Sequence, residues 1–220
     1  MNSARVVAVS KPTDPDMDVD EFIAYVARVS NPSNQSNKET AGRLLKYLIK
    51  HKHWSPFEMV HLTMEIETTR DIARQILRHR SFSFQEFSQR YADPTKDLGF
   101  TTREARLQDP ANRQNSIETS DETLQRYWTN RQRYLSQAAA EQYQWAVDNG
   151  IAKEQARAVL PEGLTVSRLY MAGSIRSWIH FCQLRMTAGT QKEHREVAID
   201  CWYQLTHQFP SLQELDLISP

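Results

Sequence analysis

The sequence predicts a single mixed α+β domain over residues 1–220, on three observations. Val60 to Glu67 alternates apolar and polar residues with the two-residue period of a strand, several other stretches repeat apolar residues at helical spacing, and neither an internal repeat nor a separate linker divides the chain. At 220 residues the chain is long enough to bury a sizeable core in one domain.

Arg5 to Val9 reads as a short opening strand, followed by a polar turn with two prolines and a helix from about Asp20 to Val29. Asn31 to Asn37, rich in Asn, Ser and Pro, is a loop; Leu44, Leu45, Leu48 and Ile49 after Glu39 mark a second helix, which His51 to Pro56 closes. In the next strand Val60, Leu62, Met64 and Ile66 share a packed face, with His61, Thr63, Glu65 and Glu67 on the other. Ile72, Ile76 and Leu77 recur at helical spacing, so a helix leaves that strand and ends near Arg80, with Arg74 and Arg78 on one face at i and i+4.

Asp93 to Glu118 is polar, broken by Pro94, Gly99 and Pro110, and reads as a long ordered loop or a mobile lid. A long helix opens at Leu124, continues toward Trp145 and stops at Asn149-Gly150. Ile151 to Leu160 is a second helical piece before Pro161, Leu164 to Met171 a strand, Ile175 to Arg185 a helix, and Lys192 to Gln208 the last one.

Lys plus Arg number 27 and Asp plus Glu number 27, a formal net charge of +0. Such a chain has no global attraction to a nucleic-acid polymer or an anionic membrane, so any anion site is a local patch. Two cysteines, Cys182 and Cys201, make neither a disulfide framework nor a multi-cysteine metal site. No apolar stretch suits a signal peptide or a bilayer span, which leads to the expectation of a cytoplasmic protein, in the host cytoplasm if the chain is viral.

The densest chemistry lies in Arg78-His79-Arg80-Ser81-Phe82-Ser83-Phe84-Gln85-Glu86-Phe87-Ser88-Gln89-Arg90-Tyr91. Arginine offers a bidentate fork to phosphate or carbonyl, so Arg78, Arg80 and Arg90 suit a nucleotide; pairing with Glu65, Glu67 or Glu86 is the structural alternative. Ser83 and Ser88 offer hydroxyls and Glu86 accepts from ring or sugar donors, while Ser88 lacks a neighbouring base that would make it a nucleophile. Phe82, Phe84 and Phe87 stack bases in an RNA- or DNA-binding reading and pack the core in the commoner one. No glycine-rich phosphate loop accompanies them. His51 and His53 lack a third metal ligand and suit the end of the preceding helix, so no metal is expected. Cys182 and His180, two apart on a helix, do not form a catalytic pair.

These residues resemble the signature of the flavin-dependent thymidylate synthase family, carried by Arg78-His79-Arg80, Ser83, Glu86, Ser88, Arg90 and Tyr91. The resemblance extends through His53-Trp54-Ser55-Pro56-Phe57-Glu58, Gln75, Ala156-Arg157-Ala158-Val159-Leu160-Pro161, Ile175 to Phe181, Leu184-Arg185, Gln191 and Glu193. It implies the thymidylate synthase-complementing protein fold, with long helices around a small, largely antiparallel sheet. The implied reaction is reductive methylation of 2′-deoxyuridine 5′-monophosphate (dUMP) to dTMP with 5,10-methylenetetrahydrofolate, FAD and NADPH, releasing tetrahydrofolate and NADP+ from a homotetramer with shared active sites.

The resemblance assigns Gln75, Arg78, Glu86, Ser88, Gln89, Arg90, Arg157 and Arg185 to dUMP. It assigns His53, Ser55, Arg78, His79, Arg80, Glu86, Ser174, Arg176 and His180 to the flavin site, His53 also lying near folate. Arg185 is its catalytic candidate, a fixed cation beside uracil. Three positions depart from the family pattern: Ser174 and His180 each replace an asparagine, and Gly189 stands where a histidine is frequent.

Overall fold

A computed structural model describes residues 2–215. In chain order the elements are β1 (Ser3–Val9), α1 (Val19–Ala27), α2 (Ala41–Lys50), β2 (His61–Thr69), α3 (Arg70–Ile76), β3 (Ser83–Glu86), α4 (Pro94–Asp97), β4 (Arg106–Gln108), β5 (Ser116–Glu118), α5 (Glu122–Asp148), α6 (Lys153–Ala156), β6 (Val166–Ser174), α7 (Ile175–Arg185) and α8 (Lys192–Gln208). One sheet has the order β1-β2-β6-β3 with every neighbouring pair antiparallel, and β4 and β5 form a separate hairpin. This is the expected α+β architecture.

The nine residues of β2 pair without interruption from His61 opposite Ser174 to Thr69 opposite Val166. Leu62, Met64 and Ile66 of β2 and Leu169 and Met171 of β6 are buried with Trp178, Phe181, Cys182, Cys201 and Leu205 in the main core, which α1, α2, α7 and α8 share. Trp178 satisfies its indole there, Nε1 donating to the Leu62 carbonyl at 3.1 Å. The start of α1 is held by a capping box, the Asp18 carboxylate accepting from Glu21 N and the Glu21 carboxylate from Asp18 N.

Several boundaries differ from the sequence reading, each for a local reason. The strand expected at Leu164 to Met171 runs from Val166 to Ser174, because Thr165 N and its hydroxyl both donate to the Pro161 carbonyl and close a turn before it. The helix expected over Ile151 to Leu160 shortens to α6 and a 3-10 turn, Arg157–Val159, since Pro161 holds Leu160 extended. Arg74 and Arg78 do not share a helix face: α3 ends at Ile76, and Arg78 N already donates to Gln75 O in a turn.

The polar stretch Asp93 to Glu118 is folded, holding α4 and the β4–β5 hairpin. Gln132 of α5 accepts from Arg103 N and donates to Arg103 O, both at 2.8 Å, and Gln125 does the same for Ala105 at 2.7 and 2.9 Å. Arg103 in turn donates to Asp71 and Thr69, and Lys192 reaches Glu104 at 2.6 Å and Glu118 at 2.7 Å. Polar side chains do here what an apolar stripe does elsewhere.

Where the chain crosses from α3 to β3, Phe82 lies on Gly173 and edges against Trp178 with ring centroids 4.9 Å apart. A β-carbon at Gly173 would stand 2.5 Å from Phe82 Cδ1. Gly173→Ala is therefore expected to displace this ring and destabilise the fold by about 1–3 kcal/mol, the usual range for overpacking, read as a lowered urea midpoint.

Candidate active site

Both central strands run straight into helices that carry candidate site residues. Arg70 N donates to Thr165 O at 3.0 Å and Ile175 N to Val60 O at 2.9 Å, so backbone hydrogen bonds fix where α3 and α7 begin. Their far ends meet: Arg185, the last residue of α7, donates from Nε to His79 Nε2 at 3.0 Å. A guanidinium only donates, so this nitrogen of His79 is an acceptor and the neutral ring carries its proton on Nδ1. Burial, and then Arg185, lower the His79 pKa to about 4. Burial and Arg78 also lower the pKa of Arg185 itself.

Among the described residues no carboxylate pairs with Arg78, Arg80 or Arg185, whereas Arg5, Arg70, Arg74, Arg90, Arg103, Arg106, Arg168 and Arg176 each have one. The acids proposed as structural partners are taken elsewhere: Glu65 by Arg5, Glu67 by Arg168 and Glu86 by Arg70. With Arg5 and the Tyr170 hydroxyl donating to it, Glu65 is held at about 2.

Gln75 projects toward the start of α8, where its Nε2 donates to Gln191 Oε1 at 2.8 Å and its Oε1 faces His194 Nδ1 at 3.2 Å. Gln191 donates onward to Glu193 at 2.9 Å, and Arg106 of β4 pairs with Glu193. His194 is fully buried, its Nε2 has no partner, and burial, Arg185 and His79 lower its pKa to about 3. Sequence reasoning placed Gln191 and Glu193 through the family pattern but missed His194 and Arg106, since a histidine inside a long helix and an arginine in a polar stretch carry no periodic signal.

The remaining nucleotide candidates gather elsewhere. Gln89 and Arg157, with Arg70, Arg74, Glu154 and Glu162, line a cavity of ≈ 480 Å³. Arg90 Nε lies 3.3 Å from Glu154 Oε2, Arg157 Nε donates to the Glu154 carbonyl, and the Ser88 hydroxyl accepts from Arg90 N at 3.4 Å. Glu86 accepts through Oε1 from Ser167 at 2.7 Å and Arg70 at 3.4 Å. The expected substrate ligands thus fall into two clusters within one chain: Gln75, Arg78 and Arg185 in one, Glu86, Ser88, Gln89, Arg90 and Arg157 in the other.

The flavin candidates spread along α7 and the turn after α2. Lys52, with a left-handed φ of 58°, closes α2, and the exposed His53 follows it with its N donating to Leu48 O. Ser55 opens the 3-10 turn Ser55–Glu58. Ser174 caps α7, its hydroxyl accepting from Ser177 N at 3.2 Å; Arg176 pairs with Glu58; and the His180 ring meets Trp54 edge-on at 5.7 Å. Phe82 and Phe84 pack against the core. Among the described residues no group of three or more His, Cys, Asp or Glu side chains is placed to hold a metal ion, and no helix is long and apolar enough to cross a membrane.

Residues 14–211, which include both clusters, match the family described as thymidylate synthase complementing protein. The chain belongs to the flavin-dependent thymidylate synthase family. It is 48% identical over 211 residues to a probable flavin-dependent thymidylate synthase of Paramecium bursaria Chlorella virus 1, covering 96% of each chain. It is 45% identical to the flavin-dependent thymidylate synthase of Synechocystis, covering 96% of this chain and 94% of that one. Among solved structures it resembles the UMP/dUMP methylase PolB of Streptomyces cacaoi bound with 5-Br dUMP, with a TM-score of 0.76 and 26% identity over 100% of this chain and 98% of that one. As a member of the flavin-dependent thymidylate synthase family the protein is an enzyme with methyltransferase-type reductive activity.

The neutral histidines make its stability depend on pH in a definite direction. Below the ordinary value of 6.5 the unfolded chain takes up protons that the folded chain refuses until about 4 at His79 and about 3 at His194. Stability is therefore expected to fall as pH drops below about 6.5. His194→Gln should flatten the slope of unfolding free energy between pH 4 and 6.5 by about one proton, measured by urea titrations across that range.

Proposed function

We propose that the enzyme reductively methylates dUMP to dTMP, taking the carbon from 5,10-methylenetetrahydrofolate and electrons from NADPH, and releasing tetrahydrofolate and NADP+. The observation that carries this reading is Arg185: a cation fixed by the neutral acceptor His79, with Arg78 beside it and no acid paired with either among the described residues. Such a group favours an anionic ligand and stabilises negative charge developing on a pyrimidine ring as its carbon becomes nucleophilic. Burial pushes both the Cys182 and Cys201 thiols well up, which supports a route without a cysteine nucleophile.

The residues present suit FAD, which when bound and reduced supplies the electrons. The exposed, acid-free Arg78 and Arg80 match a diphosphate, with His79, Ser55 and His53 alongside. Glu86 keeps Oε2 free to accept while Arg70 holds its other oxygen. Ser174, Arg176 and His180 complete the proposed set, Arg176 exchanging its bond to Glu58 for a cofactor phosphate.

The separation of substrate ligands into two clusters supports a site completed between subunits of a homotetramer, Gln75, Arg78 and Arg185 facing Glu86, Ser88, Gln89, Arg90 and Arg157 of another copy. Arg157, which lines a cavity together with Arg70 and Arg74, and Arg90, which pairs with Glu154 of the same lining, suit the phosphate. A small-molecule nucleotide in the cytoplasm, with no nucleic-acid polymer as partner, fits the neutral overall charge.

FAD-loaded protein is expected to yield dTMP from dUMP only when both methylenetetrahydrofolate and NADPH are supplied, and a folded, flavin-loaded sample that yields none would overturn the assignment. Arg185→Ala should keep its flavin spectrum while turnover drops about a hundredfold or more. Mixing Arg185→Ala with Arg157→Ala, after dissociation and reassembly, should recover part of the activity that each lacks alone. No recovery from confirmed hybrids would place both clusters in a site made by one chain.

A further inference from the structure

Beyond the groups assigned to ligands lies a chain of hydrogen bonds whose direction is set at one end. Glu193, 8% exposed, is a carboxylate paired with Arg106, and a carboxylate only accepts. Gln191 must therefore turn its NH₂ toward Glu193 and its carbonyl toward Gln75. Gln75 must spend its NH₂ on that carbonyl, which leaves its own Oε1 facing His194 Nδ1. Two acceptors do not bond, so Nδ1 carries the proton and the buried Nε2 is a bare lone pair.

We propose that Arg106 and Glu193 are positioning residues that act through Gln191 and Gln75 to dictate which ring nitrogen of His194 holds its proton. The consequence falls on Arg185. The His194 ring lies edge-on to His79 with centroids 6.3 Å apart and packs against Phe181 at 5.8 Å. His79 is already committed as the acceptor of Arg185, so the two imidazoles beside that cation are both neutral, His79 with its Nε2 lone pair given to Arg185 and His194 with its Nε2 lone pair bare. The local positive charge then resides on the arginines alone. The relay also orients the Gln75 amide, leaving one of its N–H groups and one carbonyl lone pair for a ligand. The inference rests on the proposed function for its effect on turnover, whereas the proton's position is measurable without turnover.

Uniformly ¹⁵N-histidine-labelled, flavin-loaded protein would be examined by long-range ¹H–¹⁵N correlation, with the His194 signals identified by their loss in His194→Gln. Wild type is expected to show His194 as a single neutral Nδ1–H tautomer across pH 5–8. Glu193→Gln, whose amide can face either way, should give a mixture or the Nε2–H form, with kcat/KM for dUMP lower by about tenfold, as for other groups that orient a contacting residue. Glu193→Asp should restore both. If Glu193→Gln does not fold, Gln191→Leu interrupts the same relay and should release the tautomer in the same way. An Nε2–H tautomer in wild type, or an unchanged Nδ1–H signal in a folded Glu193→Gln or Gln191→Leu protein, would overturn the proposal. Absence of dTMP formation in wild type with the expected tautomers would instead overturn the functional reading and leave the relay standing.

Discussion

The meeting of Arg185 with His79 hangs on the uninterrupted antiparallel pairing of β2 with β6. Because neither strand is separated from its following helix by a loop, α3 must start at one end of the ladder and α7 at the other. Nine paired residues span about 27 Å. Seven residues of α3 and eleven of α7 rise about 10 and 16 Å, so two helices folded back over the same sheet cover that distance between them. The contact between His79 and Arg185 is where they run out. A slip of one residue in the pairing would turn the apolar faces of both strands to the wrong side and withdraw the two helix ends from each other.

The charge balance has the same spatial logic. A chain with equal numbers of acids and bases holds several of its arginines in pairs: Arg5 with Glu65 and Arg168 with Glu67 across the sheet, Arg70 and Arg74 with Glu162, Arg103 with Asp71. Many of these are exposed and contribute little stability individually. Their larger effect is to occupy Glu65, Glu67, Glu86 and Glu162, which leaves Arg78, Arg80 and Arg185 with no carboxylate partner among the described residues. Net neutrality thus conceals a strongly cationic corner, which supports binding of a small anion without a general affinity for polyanions.

The secondary structure was legible wherever burial imposes a period. Val60 to Ile66 announced β2, and Ile175, Trp178, Ile179 and Cys182 announced α7, because one face of each packs against the core. The segment around Arg103 and Ala105 was illegible for the converse reason: Gln125, Gln132, Asp71 and Lys192 hold it, and polar clasps obey no apolar rhythm. β3 was missed because four residues at a sheet edge give too short an alternation to separate from a loop. For the site, the ordered motif from Arg78 to Tyr91 identified the residue types, yet it could not show that Glu86 and Arg90 turn toward different neighbours from Arg78 and His79. That division arises from the exit of the chain from α3 into β3, a tertiary property.

The hydrogen bond between His79 and Arg185 joins residues 106 positions apart. Contacts at such separation bear a large loop-closure entropy and depend on the β2–β6 pairing that brings their helices together. Between these two residues lie the β4–β5 hairpin and the long helix α5, both of which can acquire local structure earlier. The chain therefore assembles its cationic corner late, and a partly folded molecule carries scattered arginines in place of a half-working site.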